Sequence, residues 1–317
     1  MQLRFTLRQL SYFVAVGEAG SIARAAERMN ISSPSISAAV GQLEAEFGLQ
    51  LFVRKHAHGL ALSQAGRQFM VQARAVLAAA ESLNGLANDI TGQVRGPLAI
   101  GCLTTLAQLV LPHLRRQFET RYPQVSVHQS EMHQAEIFEA LRQARIDVAL
   151  TYDLEIPSDL VFAPLLDLPP YAILAETHAL ADRAAVSVED LLPHPMVLLD
   201  LPYSADYFLS FFTRIKARPN IAERTRDMAV MRSLVANGYG YGLANIRPVS
   251  DVAPDGKRLR HVPLTGAVRP MRLGLASAEG ATGSLTIRAF AEHCRDTIDG
   301  GDIPGLRLPD DAAGRSL

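Results

Sequence analysis

Cysteines and long apolar runs are scarce in this sequence of 317 residues. Cys102 and Cys294 are its only cysteines, which excludes a disulfide framework and a cysteine-rich zinc site. No run approaches the roughly 18 apolar residues of a membrane span. The start MQLRFTLRQL lacks the apolar core of a signal peptide. We therefore expect two reduced thiols in a cytoplasmic protein that has no membrane partner.

Motifs of catalysis and cofactor binding are also missing. The sequence has no G-x-S-x-G elbow, no P-loop and no H-E-x-x-H, and its 9 histidines are scattered. The alternating glycines of 236–242 follow a predicted helix and enter a predicted strand, which reverses the order of a dinucleotide-binding fingerprint. The sequence therefore predicts neither an enzyme, nor a metal site, nor a cofactor.

Charge is distributed unevenly along the chain. The net charge is −1, yet residues 1–95 carry nine basic and six acidic side chains, a balance of +3. The remainder carries the compensating −4. A mildly basic head on an acidic body is what a DNA-reading domain joined to a second domain would produce.

The stretch 21–48 predicts two short helices joined by a polar turn. Ser21 is a plausible N-cap, Ser33 with Pro34 is a strong start signal, and Gly48 supplies the stop. A buried stripe recurs every three or four residues at Ile36, Val40, Leu43 and Phe47. The remaining face is small and uncharged and consists of Pro34, Ser35, Ala38, Gly41 and Gln42. The pattern is typical of a DNA-binding helix-turn-helix, and a helical hairpin that never contacts DNA is the alternative.

A basic turn between two short apolar runs follows in LQLFVRKHAHGLALS. Its cationic groups are Arg54, Lys55, His56 and His58. A hairpin of this kind, a wing, suits phosphates or a minor groove, while a solvated loop that happens to be basic is the alternative.

Several short motifs occur in a fixed order between Phe5 and Gly66. They are Gly20-Ser21, Ala25-Ala26, Ser35-Ile36-Ser37, Leu43-Glu44, Leu51-Phe52-Val53-Arg54 and Leu62-Ser63-Gln64-Ala65-Gly66. In this order and spacing the run resembles the winged helix-turn-helix of the LysR-type bacterial transcriptional regulators. The resemblance implies a regulator that binds double-stranded promoter or operator DNA and has RNA polymerase as a further candidate partner.

The resemblance also implies which side chains contact DNA. They are Ser33, Pro34, Ser35, Ser37, Ala38, Gln42, Arg54, Lys55 and His56. The family often has an arginine just after the serine of the recognition helix, where this chain has Ala38. Base recognition therefore rests on the three serine hydroxyls and on apolar contact of Ala38 or Pro34 with thymine methyl groups.

A long helix is predicted from the cap Ser63 to about Ile90. Its apolar positions keep a seven-residue period at Phe69, Ala73, Val76, Ala80, Leu83, Ala87 and Ile90. That period predicts a two-helix seam and hence a homo-oligomer, and a single helix lying on its own domain is the alternative. The resemblance implies dimers or tetramers built as dimers of dimers.

Strands alternate with helices after the hinge 92–97, which predicts a mostly parallel sheet with helices on its faces. Two α/β lobes with crossing strands near 161–168 and 262–270 resemble the family's effector domain, which is like the periplasmic solute-binding proteins. The expected fold is α/β, with an N-terminal winged helix-turn-helix (1–66), a long linker helix (63–91) and a two-lobed periplasmic-binding-protein-like effector domain. Lobe I is expected at 96–163 and 268–300, lobe II at 164–267, and a disordered tail at 301–317.

A ligand cleft is expected beyond the carboxyl ends of the strands. Thr104 and Thr105 open a helix after the first strand, where hydroxyls and free amides make a seat for a carboxylate, unless a threonine merely caps the helix. The resemblance implies that Thr105 and Gln134 contact the effector. Further candidates are Tyr152, Tyr203 and Asn245, and His133 is either a surface or capping residue or a ligand contact. We expect a small organic acid whose carboxylate faces Thr104 and Thr105.

Three other functions compete with a ligand-responsive regulator. The two-lobed fold also serves solute-binding and transport proteins, and an enzyme with an added DNA-binding head is conceivable. A regulator that has no small-molecule effector is the third, and the sequence does not separate it from the leading hypothesis.

Overall fold

The computed structural model describes residues 4–55, 59–281, 284–301, 303 and 306. The chain forms two units, an N-terminal unit of Met1–Gly92 with Gln143–Arg145 and a C-terminal unit of Gln93–Arg142 with Ile146–Leu317. Among the helices in these described ranges, none is long and apolar enough to cross a membrane.

The N-terminal unit consists of four helices and one hairpin. Its elements are α1 (Leu7–Ala19), α2 (Ile22–Met29), α3 (Ser33–Phe47), β1 (Phe52–Lys55), β2 (Gly59–Leu62) and α4 (Gln64–Thr91). The strands β1 and β2 pair antiparallel, as a wing requires. This order of elements is that of a winged helix-turn-helix followed by a long helix.

Local signals set the helix ends. Thr6 and Gln9 form a capping box at the start of α1, and Ser21 caps α2 through its side chain. The cap of α3 is Ser32, one residue earlier than expected, with the proline in the first turn. Gly48 ends α3 in the left-handed conformation at φ 63°, which glycine adopts without strain.

A single apolar core holds the helix pair against α1. Among its fully buried members are Phe13, Ile36, Leu43 and Leu51. The predicted stripe of α3 is wrong at Phe47, which remains 39% exposed. Its ring lies at the edge of the core, 5.4 Å from the ring of Phe5 and 4.9 Å from that of Phe69.

The long helix α4 has two environments along its length. Phe69 and Ala73 pack into the core of the N-terminal unit, so these two positions of the predicted seam belong to the monomer. Beyond them Val76, Leu83 and Ile90 are 42%, 66% and 77% exposed. The apolar stripe available to a partner therefore begins near Val76.

The C-terminal unit is α/β and has two lobes. Its helices are α5 (Thr104–Ala107), α6 (Leu111–Arg121), α7 (Gln134–Arg142), α8 (Val188–Leu191), α9 (Ser204–Arg214), α10 (Met228–Ala236) and α11 (Leu285–Asp299). Its strands are β3 (Gly96–Leu103), β4 (Val125–Met132), β5 (Val148–Tyr152), β6 (Leu160–Leu168), β7 (Tyr171–Ala175), β8 (Val186–Ser187), β9 (Pro195–Leu199), β10 (Asn220–Thr225), β11 (Gly242–Ala244), β12 (Leu259–Thr265) and β13 (Met271–Ala278).

Lobe I contains a five-stranded sheet of order β4-β3-β5-β13-β6. The strand β3 runs parallel to β4 and β5, as expected, whereas β13 is antiparallel to β5 and β6. The expectation of a mostly parallel sheet therefore holds for the first three strands only, since β13 enters from the other lobe and returns in the opposite direction.

Lobe II contains a sheet of order β11-β7-β12-β8 and the parallel pair β9 and β10. The strand β7 is antiparallel to both of its neighbours. The chain passes between the lobes at residues 168–171 and 265–271. Because β6 stays paired with β13 as far as Leu168, the expected boundary at 163–164 falls inside a strand of lobe I.

Two further expectations need correction. The helix expected over 104–121 is broken at residues 108–110 into the single turn α5 and the longer α6. The tail expected to be disordered from 301 includes Ile303 and Leu306, which are buried at 3% and 4% exposure in the core of the C-terminal unit. Residues 302, 304, 305 and 307–317 lie outside the described part of the chain.

Candidate functional site

The helix α3 presents a small, exposed, uncharged face to solvent. Five of its predicted DNA contacts are exposed, namely Pro34, Ser35, Ser37, Ala38 and Gln42, and Ser33 is half-buried. Their opposite face is buried by Ile36, Val40 and Leu43. The amphipathic spacing therefore leaves one smooth surface without a core function.

Two polar side chains on this face already have partners in the protein. The hydroxyl of Ser35 lies 2.7 Å from that of Ser32, and the carbonyl oxygen of Gln42 accepts the side-chain amide of Gln9 at 2.7 Å. Gln42 therefore presents its own NH2 group as a donor, which suits an acceptor on a base edge or a phosphate.

Glu44 connects the recognition helix to the wing. Its carboxylate accepts the backbone N–H groups of Leu51 at 2.7 Å and of Phe52 at 3.2 Å, where β1 begins. On the other strand, the N–H of Leu60 donates to the carbonyl of Gly20 at 3.0 Å. The Leu43-Glu44 pair in the sequence thus has a physical reason, because the glutamate fixes the wing beside α3.

Three predicted contacts lie in the wing. Arg54 is exposed on β1, and Lys55 is the last residue of that strand. His56, like His58, lies outside the described residues. The hairpin geometry itself agrees with the interpretation of this stretch as a wing.

The cleft of the C-terminal unit contains two small adjoining chambers of about 10 and 20 Å³. The first is lined by Leu103, Thr104, Thr105, His133, Gln134, Tyr152, Leu201, Pro202 and Ser204. The second is lined by Thr105, Tyr152, Leu199, Leu201, Ser204, Phe208, Met228, Leu243, Ala244, Asn245, Ile246 and Met271. Each volume is about that of one water molecule, so a larger ligand requires the lobes or side chains to move.

Thr105 and Tyr152 are shared by both chambers. Thr105 is 7% exposed and hydrogen-bonds the phenol of Tyr152, whose pKa is raised by burial despite that bond. Thr104 lines the first chamber, and the cap residue of α5 is Leu103, which makes no side-chain capping bond. Neither threonine hydroxyl therefore caps α5, which is the alternative role that the sequence allows for them.

Gln134 is buried at the start of α7, at 2% exposure. Its amide nitrogen donates to the backbone carbonyls of Tyr152, at 3.2 Å, and Leu154. Its carbonyl oxygen has no hydrogen-bond donor among the described residues. His133 lines the first chamber beside it, and its backbone N–H donates to the carboxylate of Glu136 at 2.9 Å.

Asn245 reaches the second chamber from lobe II and is 6% exposed. Its amide nitrogen donates to the carbonyl of Leu168 at 2.7 Å and to the phenolic oxygen of Tyr207 at 3.1 Å. Its own carbonyl oxygen lacks a donor within the described part of the chain. Burial is the main reason that the pKa of Tyr207 is raised, to about 12.

The prediction that Tyr203 contacts the effector is not supported by its position. Tyr203 has a left-handed φ of 63°, and its ring lies 5.9 Å from that of Phe138 rather than among the described lining residues. The turn at this point directs Ser204 into both chambers instead. Ser204 is not among the residues that the sequence predicts to contact the effector, although its place at the first position of a helix would have suggested it.

Thiol and metal chemistry find no site in the described residues. No cluster of three or more histidine, cysteine or acidic side chains there could hold a metal ion. Cys102 and Cys294 are both fully buried, and burial raises the pKa of each thiol far above its ordinary value. Thiols of this kind are poor nucleophiles.

Two family models match the chain. Residues 7–67 match the bacterial regulatory helix-turn-helix protein of the lysR family, and residues 91–299 match the LysR substrate binding domain. Together they span both units of the fold.

Individual proteins give the same result. The crystal structure of HinK, a LysR family transcriptional regulator from Pseudomonas aeruginosa, is 35% identical and covers 93% of this chain and 99% of its own, with a TM-score of 0.63. OxyR of Escherichia coli K12, a DNA-binding transcriptional dual regulator, is 26% identical over 93% of this chain and 96% of its own. The full-length CbnR complexed with its target DNA shares the fold, at 23% identity and a TM-score of 0.65.

Proposed function

The chain belongs to the LysR family of bacterial transcriptional regulators, and from this premise we propose that it reads promoter or operator DNA through α3 and the wing while its two-lobed domain senses a small organic acid. The DNA-binding and substrate-binding domains follow from the family models. The residues that touch DNA and the chemistry of the effector are the parts that we propose.

The exposed face of α3 is the observation that supports the DNA contacts. Small side chains such as Ala38 let the helix approach a major groove closely, and the serine hydroxyls can meet either donors or acceptors on base edges. Arg54 and Lys55 would add phosphate contacts, which carry affinity but little sequence information. We place His56 with them as a third wing contact.

The hydroxyl-rich end of the cleft supports an acid as the effector. We propose that a carboxylate accepts hydrogen bonds from the hydroxyls of Thr104 and Thr105, with Gln134, Tyr152 and Asn245 around the rest of the molecule. Because both chambers are small, the occupant is a compact molecule whose entry requires the lobes or the lining side chains to move.

Binding would act by shifting a population of conformations. A ligand that favours one arrangement of the lobes changes the placement of subunits, and with it the spacing of the DNA-binding heads along a bent site. We propose a dimer or tetramer assembled through the exposed half of α4. We further propose RNA polymerase as the partner that responds to the changed arrangement of the regulator on DNA.

Two other functions fit less well. A solute-binding or transport protein does not require a winged helix-turn-helix. A regulator without an effector does not explain why the amide oxygens of Gln134 and Asn245 are buried in the cleft with no donor among the described residues. The relatives are regulators rather than enzymes, so we propose no catalytic role.

The test uses the whole chain of 317 residues. A duplex is first selected from a random DNA library, and its dissociation constant is then measured with and without a panel of small carboxylates, aromatic acids and amino acids. We expect one or more acids to change DNA affinity and to raise the melting temperature, and Thr105→Ala to abolish both effects.

The matched control is Thr120→Ala, which removes a hydroxyl from the exposed face of α6. An unchanged response in Thr105→Ala would refute the placement of the carboxylate. A lack of any response across the whole panel would favour the regulator without a small effector.

A further inference from the structure

Two buried amide oxygens in the cleft lack a hydrogen-bond donor. Gln134 and Asn245 each donate through nitrogen to a backbone carbonyl, of Tyr152 and Leu168 respectively. A carbonyl can only accept, so these bonds identify which atom of each amide is the nitrogen. The opposite atoms, Gln134 Oε1 and Asn245 Oδ1, are therefore acceptors, and no described residue donates to either.

The two acceptors belong to different lobes but to one cleft. Gln134 lines the first chamber from lobe I, and Asn245 lines the second from lobe II. The chambers share the residues Thr105, Tyr152, Leu201 and Ser204. A molecule that spans both chambers can therefore donate to both lobes at once, which would hold the lobes together.

Acidic and basic side chains are missing from the described lining of both chambers, apart from the histidine His133. No lysine, arginine, aspartate or glutamate is among the described residues that line either chamber. A hydroxyl donates to an amide oxygen without adding any charge to this lining beyond that of the proposed carboxylate, whereas an ammonium group would add a second ion whose loss of water is costly.

We infer that the effector is a hydroxylated organic acid, whose hydroxyl groups donate to Gln134 Oε1 in lobe I and Asn245 Oδ1 in lobe II. The position of the ligand's carboxylate, at Thr104 and Thr105, rests on the proposed function. What is added is that the rest of the ligand carries hydroxyl groups. A site that is built to bind a hydroxyl group rejects the analogue that lacks it, because its own polar atoms are then left unpaired.

The experiment is calorimetric titration of the whole chain of 317 residues with acids that differ only in hydroxyl count. The three-carbon series is propanoate, lactate and glycerate, and the four-carbon series is succinate, malate and tartrate. We expect affinity to rise with each hydroxyl, by on the order of tenfold per group. Propanamide and lactamide repeat the first comparison without a carboxylate.

Two variants assign the effect to the two atoms. Asn245→Leu and Gln134→Met replace each amide with an apolar side chain of similar size, and each should reduce the advantage of glycerate over propanoate by about tenfold. The control Thr151→Val removes a buried hydroxyl that also lacks a described partner but lies outside both chambers. It should leave the advantage unchanged.

The outcomes separate this inference from the proposed function. Equal binding of hydroxylated and parent acids would overturn the inference while the acid sensor stands. Amides that match or exceed the acids, with the hydroxyl advantage retained, would support the hydroxyl contacts with Gln134 and Asn245 and would overturn the carboxylate placement of the proposed function. Failure of every hydroxylated acid to bind at about 10 mM would also overturn the inference. This outcome is measured on the unaltered chain, so it remains decisive even if a variant fails to fold.

Discussion

The side-chain amide of Asn245 donates to the phenolic oxygen of Tyr207 at 3.1 Å, and this bond connects the ligand cleft to the segments that cross between the lobes. Tyr207 donates its own hydroxyl to the backbone carbonyl of Arg269, and the guanidinium of Arg269 lies 5.5 Å from the centre of the tyrosine ring. Arg269 in turn pairs with Asp153 at the end of β5. Asn245 is therefore joined to lobe I directly, through the carbonyl of Leu168, and also through these three contacts to Asp153.

Removing the hydroxyl of Tyr207 tests the first step of this network. We expect Tyr207→Phe to lower the free energy of unfolding by about 1–3 kcal/mol, because it breaks two hydrogen bonds, one of them with the buried Asn245. Urea denaturation of the full chain followed by circular dichroism measures the change. Tyr239→Phe is the control, since Tyr239 is 53% exposed and its variant should remain within about 0.5 kcal/mol. Equal losses in the two variants would refute the structural role of Tyr207.

Asp153 should make the free energy of unfolding of the chain depend on pH. Its side chain is 5% exposed, and its carboxylate lies 2.7 Å from Arg269 and 2.9 Å from the side chain of Arg272. Burial alone would raise the pKa of Asp153, but hydrogen bonds from the backbone and side chain of Arg272 and from Arg269 outweigh it and lower the pKa. Stabilisation by this group is thus complete above the ordinary aspartate pKa and is lost as the pH falls through the lowered value.

We therefore expect Asp153→Asn to destabilise the chain by about 1–3 kcal/mol at pH 7, and by progressively less below about pH 4. Unfolding curves at a series of pH values measure this difference. Asp159→Asn is the matched control, because the pair of Asp159 with Arg142 is exposed at 53% and 43% and should contribute much less. A pH-independent loss in Asp153→Asn would mean that packing, and not the charge, is what the substitution removes.

Two glycines inside helices should respond oppositely to alanine. A methyl group on Gly66 in α4 would lie 2.0 Å from the backbone carbonyl oxygen of Leu51, so Gly66→Ala must displace the backbone that positions the wing. Gly41 in α3 has nothing within 4 Å of such a methyl group, so Gly41→Ala should stabilise the helix by about 0.5–1 kcal/mol. Thermal unfolding measures both changes.

The variant Gly41→Ala also tests the proposed DNA-binding face of α3, with Arg54→Gln as a comparison. Because Gly41 lies on the exposed surface of α3 that we propose enters the major groove, Gly41→Ala should weaken binding to the selected duplex although the protein is more stable. Arg54→Gln should instead weaken binding to all duplexes and reduce the salt dependence by about one counterion. Undiminished affinity in Gly41→Ala would argue that a different face of α3 meets DNA.

The sequence predicted the helix-turn-helix better than the cleft. Caps and stops such as Ser21 and Gly48 are local, so they determine helix ends regardless of what packs against them. The roles of Gln134 and Asn245 depend on carbonyls at Leu154 and Leu168, which are distant in sequence. The sequence predicts that Tyr203 contacts the effector, but its own left-handed φ directs its ring elsewhere, and no pattern in the sequence predicts that conformation.

The exposed stripe of α4 gives the last prediction. Leu83 is 66% exposed and Ile90 is 77% exposed, one seven-residue period apart, so most of their apolar surface faces solvent in a single chain. Leu83→Glu with Ile90→Glu should therefore dissociate the proposed oligomer without lowering the stability of the N-terminal unit, as sedimentation velocity and thermal unfolding would measure. Ala75→Glu is the control, because Ala75 is exposed on the same helix about 100° around the axis from Val76. If the double variant sediments as the unaltered chain does, the subunits associate through another surface, and the spacing of the DNA-binding heads is set elsewhere.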